Sequence, residues 1–294
     1  MMIGRFAPSP TGPLHFGSLL AALASYLEAR NKQGQWLVRM EDLDKPREVK
    51  GAASHILKTL EQFGFEWDGE VIYQSQRSDL YQDALFQLEK QSLIYRCQCS
   101  RKEIADSAIQ GIDGLIYPGT CRHTQATQMP YASRIKVNDI PITFNDAIQG
   151  SIAQHLATQV GDFVLKRADG LFAYQLAVVV DDFQQGVTDI VRGADLLDST
   201  PRQIYIQQQL DIPTPHYAHI PVASNAAGEK LSKQTLAPAI EAKDASAWLI
   251  KSLAFLGQNP PSELITNTPS EILSWAKQHW QLKKIPKQRS IIFE

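Results

Sequence analysis

Two short segments, far apart in the chain, carry groups suited to holding a polyphosphate. His15-Phe16-Gly17-Ser18 stands where a short apolar opening segment gives way to a helical pattern. A helix start offers unpaired N–H groups and a partial positive charge. Gly17, with no side chain, lets a nucleotide ring approach the backbone, and His15 can donate to phosphate oxygens. Late in the chain, Lys230-Leu231-Ser232-Lys233-Gln234 offers two ammonium groups that can reach a triphosphate. Read singly, these are equally a helix-start histidine with a packing glycine, and a solvated lysine-rich turn, because short motifs recur by chance. Arg5 and Arg192 add planar guanidinium forks, which pair with both oxygens of a carboxylate.

A third constellation holds all three cysteines of the chain, Cys97, Cys99 and Cys121. An odd count confined to one short segment fits a structural zinc site better than a disulfide framework; the alternative is three reduced thiols without metal. Spacing leaves the fourth ligand open between His123, the commoner type, and Tyr117.

These groups need elements to position them. An apolar run at 3–6, the punctuated loop PSPTGP, a helical pattern over 14–31 and a second apolar run at 36–40 ending in Glu41, Asp42 and Asp44 read as a βαβ unit. Such a unit implies a parallel sheet with ligands beyond the carboxyl ends of its strands, which is where Arg5 and Arg192 then fall. Further helices are predicted over 48–63 and 78–91. Residues 96–161 change to short polar segments and read as an insertion. An Asp-Gly turn at 168–170 predicts a hairpin between 162–167 and 171–180. A strand at 187–191, a helix over 199–210 with a Ser/Thr cap and Pro201 in its first turn, and helices over 245–256 and 270–280 complete the pattern. The resulting division is 1–95 and 162–240 as two halves of one catalytic domain, 96–161 as the insertion, and 241–294 as a short helical region. Lys277, Lys283, Lys284, Lys287 and Arg289, with no acid between 277 and 293, read as a solvated tail or an RNA-facing patch.

Composition bounds these readings. Hydrophobic residues make up 44% and charged residues 20% of 294, so the chain is ordinary globular. Lys plus Arg number 29 against 31 Asp plus Glu, which excludes coating nucleic acid by bulk charge and leaves only a local patch. The apolar runs are shorter than the roughly 20 residues of a membrane span, and MMIGRFAPSP does not read as a leader; a cytoplasmic protein with no membrane contact is expected.

The strings RFAPSPTGPLHFGS, MEDLD, VVVDD, VRGADLLDSTPRQ and KLSK, in that order, resemble the catalytic half of class I glutamyl-tRNA synthetases over about residues 3–235, with HFGS like the family's HIGH motif and KLSKQ like its KMSKS motif. The resemblance implies an α/β, Rossmann-like parallel sheet, ATP with Mg2+ as substrate, and L-glutamate as the activated acid. By that resemblance His15, Gly17, Lys230 and Lys233 are catalytic, with His15, Gly17 and Lys233 on ATP. Arg5, Phe6, Ala7, Pro8, Ser9, Glu41, Tyr174 and Arg192 match glutamate-binding positions, Glu41 as the ammonium partner and Tyr174 through its hydroxyl. The family also includes a CxC…YxxxC pattern in which the tyrosine ligates, which implies one structural zinc on Cys97, Cys99, Tyr117 and Cys121. The short stretch beyond KLSKQ, with no anticodon-binding domain, resembles that of the truncated glutamyl-queuosine tRNA(Asp) synthetases. That family implies activation of glutamate without tRNA, then transfer to queuosine at the wobble position of tRNA(Asp), by a monomer. Two other readings stay open: a compact glutamyl-tRNA synthetase charging the 3′ end of tRNA(Glu), and a non-catalytic zinc-containing RNA-binding relative.

Activation is attack by a carboxylate on the α-phosphorus of ATP, so catalysis is mostly positioning and charge compensation. Lys233→Ala is expected to lower glutamate-dependent ATP–pyrophosphate exchange by roughly 10²- to 10³-fold, the scale for losing one transition-state donor; a value within about threefold of the parent would contradict the assignment.

Overall fold

The computed structural model describes residues 1–112, 114–124, 127–230 and 240–293. Strand β1 (Ile3–Phe6) leads through the Pro/Gly loop into helix α1 (Phe16–Asn31), and β2 (Gln35–Met40) returns parallel to β1, Ile3 opposite Gln35. Helix α1 is Ala- and Leu-rich, and its positions 22–29 are buried without interruption, as those of a helix segment packed on every side must be. Helix α2 (Ala52–Gln62) and the short β3 (Ile72–Tyr73), parallel to β2, follow, then α3 (Ser78–Lys90).

Next come β4 (Ile94–Cys97), α4 (Arg101–Ser107), the small β5 (Gln110–Gly111) and β6 (Gly114–Leu115), β7 (Ala132–Ile135), a hairpin of β8 (Ile142–Asp146) and β9 (Gly150–Gln154), and α5 (Leu156–Gln159). Strand β10 (Phe163–Lys166) joins β7 and β4 in an antiparallel sheet of order β10-β7-β4. This sheet spans the residue boundaries drawn at 95/96 and 161/162. The chain then re-enters the parallel architecture through α6 (Tyr174–Gln184), β11 (Asp189–Gly193), α7 (Thr200–Gln209) and β12 (His216–Ile220), β12 running parallel to β11.

Hydrogen bonds from Thr188 N to Ile3 O and from Ile3 N to the Thr188 hydroxyl, both 2.9 Å, stitch the start of β11 to β1 on the side away from β2. The order is therefore β3-β2-β1-β11-β12, with connections leaving β1 in one direction and β11 in the other. That reversal is the switch point of a doubly wound sheet, and ligands bind in the crevice beyond it.

Three expectations need correction. The Asp-Gly turn forms, with Gly170 N bonded to Arg167 O at 3.0 Å, but the second arm of the predicted hairpin is helix α6. Leu176 through Asp182 are all buried, so no periodicity marks the helix, and tertiary packing outweighs the strand preference of three consecutive valines. Ser199 does not cap α7: its backbone is already helical, and its hydroxyl accepts from Gln175 and Arg202 instead. Arg192 lies inside β11 and not after it.

After β13 (Val222–Ser224) come α8 (Ala245–Phe255) and α9 (Pro269–His279), which pack on α1, and β14 (Ser290–Ile292). The basic segment is no free tail, since β14 pairs in parallel with β13, Phe293 stacks on Phe16 with ring centroids 3.9 Å apart, and Arg289 pairs with Asp198. Among the described residues no helix is long and apolar enough to cross a membrane.

Two aspartates sit back to back in the middle of α6, facing guanidinium groups from β1, β2 and the start of α3. Asp181, fully buried, accepts from Arg77 Nε at 2.6 Å, Gln74 Nε2 at 2.8 Å and the Tyr81 hydroxyl at 2.8 Å. Asp181→Ala leaves buried donors and charge without a partner and is expected to destabilise the fold by roughly 3–5 kcal/mol, read from urea unfolding; a loss below about 1 kcal/mol would show that this lattice does not hold α6 in place.

Candidate active site

A crevice of about 810 Å³ opens beyond the carboxyl ends of β1 and β11. It is lined by residues 5–9, His15, Gly17, Glu41, Tyr174, Arg192 and Lys230, so the structure brings together every described residue singled out above for nucleotide and acid binding. Lys233 lies outside the described residues. His15 is the residue before the first turn of α1 and makes no side-chain cap, so the first N–H groups of α1 are not satisfied by a capping side chain.

At the acid end, Arg5 is 4% exposed and anchored through Nε and Nη2 to Asp182 at 3.1 and 3.4 Å. Asp182 also binds Arg39 at 2.8 Å, and Arg39, wholly buried, reaches Glu41 at 3.4 Å. Burial alone would raise the Asp182 carboxyl; Arg5 and Arg39 outweigh it and hold it below the ordinary range. Glu41 goes the other way. Burial dominates, the pull of Arg39 and Arg5 is partly cancelled by Asp182 and Asp181, and the carboxyl is held above its ordinary value. An added cation beside Glu41 would relieve that imbalance, which suits an ammonium group. Arg192 Nη1 lies 3.5 Å from the Tyr174 hydroxyl, on the wall facing this end.

Of Arg39, Asp181, Asp182 and His219, which support the crevice walls, only Asp181 and Asp182 lie in a string singled out above, VVVDD, and that string does not show what they bind. Asp181 and Asp182 hold the arginines, Arg39 links Asp182 to Glu41, and His219, opposite Arg192 in the β11–β12 ladder, accepts from Arg192 Nε at 3.0 Å. The one sequence signal is the pair of adjacent acids inside the apolar run VVVDD; their partners come from distant strands. Lys230 pairs with Asp195, another crevice residue.

The cysteines also converge. Cys97, Cys99 and Cys121 place their sulfurs within 4.8 Å of one another. The Tyr117 hydroxyl lies 3.4 Å from both Cys97 Sγ and Cys99 Sγ and accepts from Cys121 N at 2.8 Å, and Cys99 and Cys121 Sγ are 3.5 Å apart. A tetrahedral zinc with thiolate and oxygen ligands requires edges of about 3.8 Å between sulfurs and about 3.5 Å from sulfur to oxygen, and the two sulfur–oxygen distances and the Cys99–Cys121 distance lie near those values. His123 is exposed and outside the cluster. Burial pushes the Cys99 thiol up to about 11. Burial, followed by hydrogen bonds with Cys97 and Cys99, raises the Tyr117 phenol.

The fold and this site define an α/β catalytic domain, and the family model of the catalytic domain of class I tRNA synthetases (E and Q) matches residues 1–259. The chain is 57% identical over 292 residues to the glutamyl-Q tRNA(Asp) synthetase of Dechloromonas aromatica (strain RCB), covering 98% of this chain and 97% of that one. It is 53% identical over 285 residues to the protein of the same name from Thiobacillus denitrificans, covering 97% and 95%. Its fold is similar to that of the glutamate-tRNA synthetase of Elizabethkingia anophelis, with a TM-score of 0.81 at 24% identity, over 100% of this chain and 68% of that one. The chain belongs to the class I tRNA synthetases of the E and Q types, in the glutamyl-Q tRNA(Asp) synthetase group.

Metal analysis of protein purified without chelator is expected to return roughly one zinc per chain, lost in Cys99→Ser together with a fall in thermal midpoint; less than about a quarter equivalent in the parent would overturn the site.

Proposed function

We propose that this chain activates L-glutamate with ATP in the absence of tRNA and then transfers the glutamyl group to queuosine at the wobble position of tRNA(Asp). The observation that carries the first half is the pairing, in one crevice, of anchored guanidiniums and an under-compensated Glu41 with the N-terminus of α1. The relatives' names support the second half.

The chemistry follows from the charges. One carboxylate of glutamate attacks the α-phosphorus of ATP, which enters with Mg2+; an O–P bond forms, and the bond to the β-phosphate bridge breaks as pyrophosphate leaves. Arg5 and Arg192 hold carboxylates, Glu41 holds the ammonium, and Tyr174 adds a hydroxyl donor. His15, the first N–H groups of α1, Lys230 and Lys233 compensate charge on the phosphates. In the second step a nucleophile of queuosine attacks the glutamyl carbonyl, and AMP departs.

When bound, zinc supplies structure alone, because four ligands leave no open position for substrate or water. Cys97, Cys99, Tyr117 and Cys121 would hold it, stapling a segment too short to build a core of its own. Every group in this scheme comes from one chain, which supports a monomer, working in the cytoplasm where its tRNA is.

Labelled glutamate, ATP and this protein are expected to label bulk tRNA from cells that make queuosine and to leave tRNA from queuosine-deficient cells unlabelled. Equal labelling of both pools, or release of the label as a 3′-terminal adenosine adduct on nuclease digestion, would overturn the transfer step in favour of a conventional charging enzyme.

A further inference from the structure

Arg192 is held closely at two of its three nitrogens, while the third, Nη1, reaches the Tyr174 hydroxyl only at 3.5 Å. Nη2 donates to the Thr200 hydroxyl at 2.9 Å and to Gln203 Oε1 at 2.7 Å, and Nε donates to His219 Nε2 at 3.0 Å, leaving Nη1 toward Tyr174 and the crevice. His219 is fully buried. Its other ring nitrogen, Nδ1, lies 2.6 Å from Asp146 Oδ2, while its backbone N–H donates to Asp146 Oδ1 at 3.1 Å and its carbonyl accepts from Gln149 Nε2 at 2.8 Å. Asp146 ends β8, so a hairpin of the inserted segment grips a histidine that touches the acid-binding wall.

The donor and acceptor inventory fixes the state of the ring. Arginine Nε can only donate, so His219 Nε2 must present its lone pair. A carboxylate can only accept, so Nδ1 must carry the hydrogen. The partners thus assign the neutral Nδ1–H tautomer. Burial, joined by the repulsion of Arg192 and opposed by the Asp146 bond, brings the imidazole down to about 4, so it remains an acceptor at neutral pH.

We infer that His219, oriented by Asp146, is a positioning residue for the acid substrate: it fixes the rotation of the Arg192 guanidinium so that the Nη1 edge faces the glutamate carboxylate. The inference rests on the reading of Arg192 as a carboxylate-binding group. A guanidinium held only at Nη2 can swing about that end. Held also at Nε, it presents one edge in one direction, which is what carboxylate recognition by a planar fork requires.

Two isosteric halves of histidine separate this role from a purely structural one. In His219→Asn the amide nitrogen takes the place of Nδ1, so the buried carboxylate keeps its donor while Arg192 Nε loses its acceptor. In His219→Gln the amide oxygen takes the place of Nε2, so Arg192 keeps its acceptor while Asp146 loses the side-chain donor. Glutamate-dependent pyrophosphate exchange with the full chain is expected to show the KM for glutamate raised roughly tenfold or more in His219→Asn with the KM for ATP unchanged, the scale of one hydrogen bond to a charged group. His219→Gln is expected to stay within about threefold on both. Thermal unfolding is expected to rank the two oppositely, with His219→Gln the less stable.

An unchanged glutamate KM in His219→Asn, or a larger rise in His219→Gln than in His219→Asn, overturns the inference. Arg192→Ala is measured alongside. If it leaves the glutamate KM unchanged, the reading of Arg192 fails and the inference with it; if it raises that KM while His219→Asn does not, the inference alone fails. Should both histidine variants unfold, Asp146→Asn takes their place: a severalfold rise in the glutamate KM at constant ATP KM supports the inference, and no rise contradicts it.

Discussion

The central constraint on this molecule is the burial of arginines beside its substrate crevice. Arg5, Arg39 and Arg192 are each at most 4% exposed, and a guanidinium taken out of water must be matched by charge and hydrogen bonds or the fold loses several kcal/mol per group. The chain meets that requirement from distant places. Asp182, in a helix far along the sequence, bridges Arg5 of the first strand and Arg39 of the second; His219 of a late strand, itself bound by Asp146, holds Arg192 together with Thr200 and Gln203. The same anchors that satisfy the buried charges also aim them, so stability and recognition share one set of interactions.

This arrangement explains how the parts are laid out. The doubly wound sheet places the ends of β1 and β11 side by side, which brings Arg5 and Arg192 to one crevice although 187 positions separate them in the sequence. The N-terminus of α1 opens into the same space. Phe16, in the HFGS segment, is stacked by Phe293 from beyond β14, and β14 lies against β13. This end of the chain thus braces the HFGS segment and β13. The inserted segment reaches the crevice wall through Asp146, which binds His219 beside Arg192, and it also carries the Tyr117 and cysteine cluster.

What can be read in the sequence is local. The run at 3–6 is β1 residue for residue, the start of α1 falls at HFGS, and the three cysteines are recognisable as a cluster because they lie close in sequence, whereas spacing alone does not choose Tyr117 over His123. What cannot be read depends on partners far away. Helix α6 is buried on every side and so carries no amphipathic signal, and its valines favour a strand until packing is known. Asp181 and Asp182 resemble any acidic pair until Arg5, Arg39 and Arg77 arrive around them. His219 sits in an apolar strand without a motif; only the ladder with β11 reveals that it faces Arg192. The basic run near the end reads as a solvated tail or an RNA-facing patch, and its late lysines are exposed, but the pairing of β14 with β13 and of Arg289 with Asp198 is invisible in a linear view.

Acid and nucleotide must share this crevice in a fixed orientation for the chemistry to occur. A crystal structure of the protein with a non-hydrolysable glutamyl-adenylate analogue tests that requirement most directly. The glutamyl group is expected to lie against Arg5, Glu41 and Arg192, with the phosphate mimic at the first turn of α1 beside His15. An analogue bound with its amino acid away from these arginines, or seated outside the crevice, would contradict the shared site.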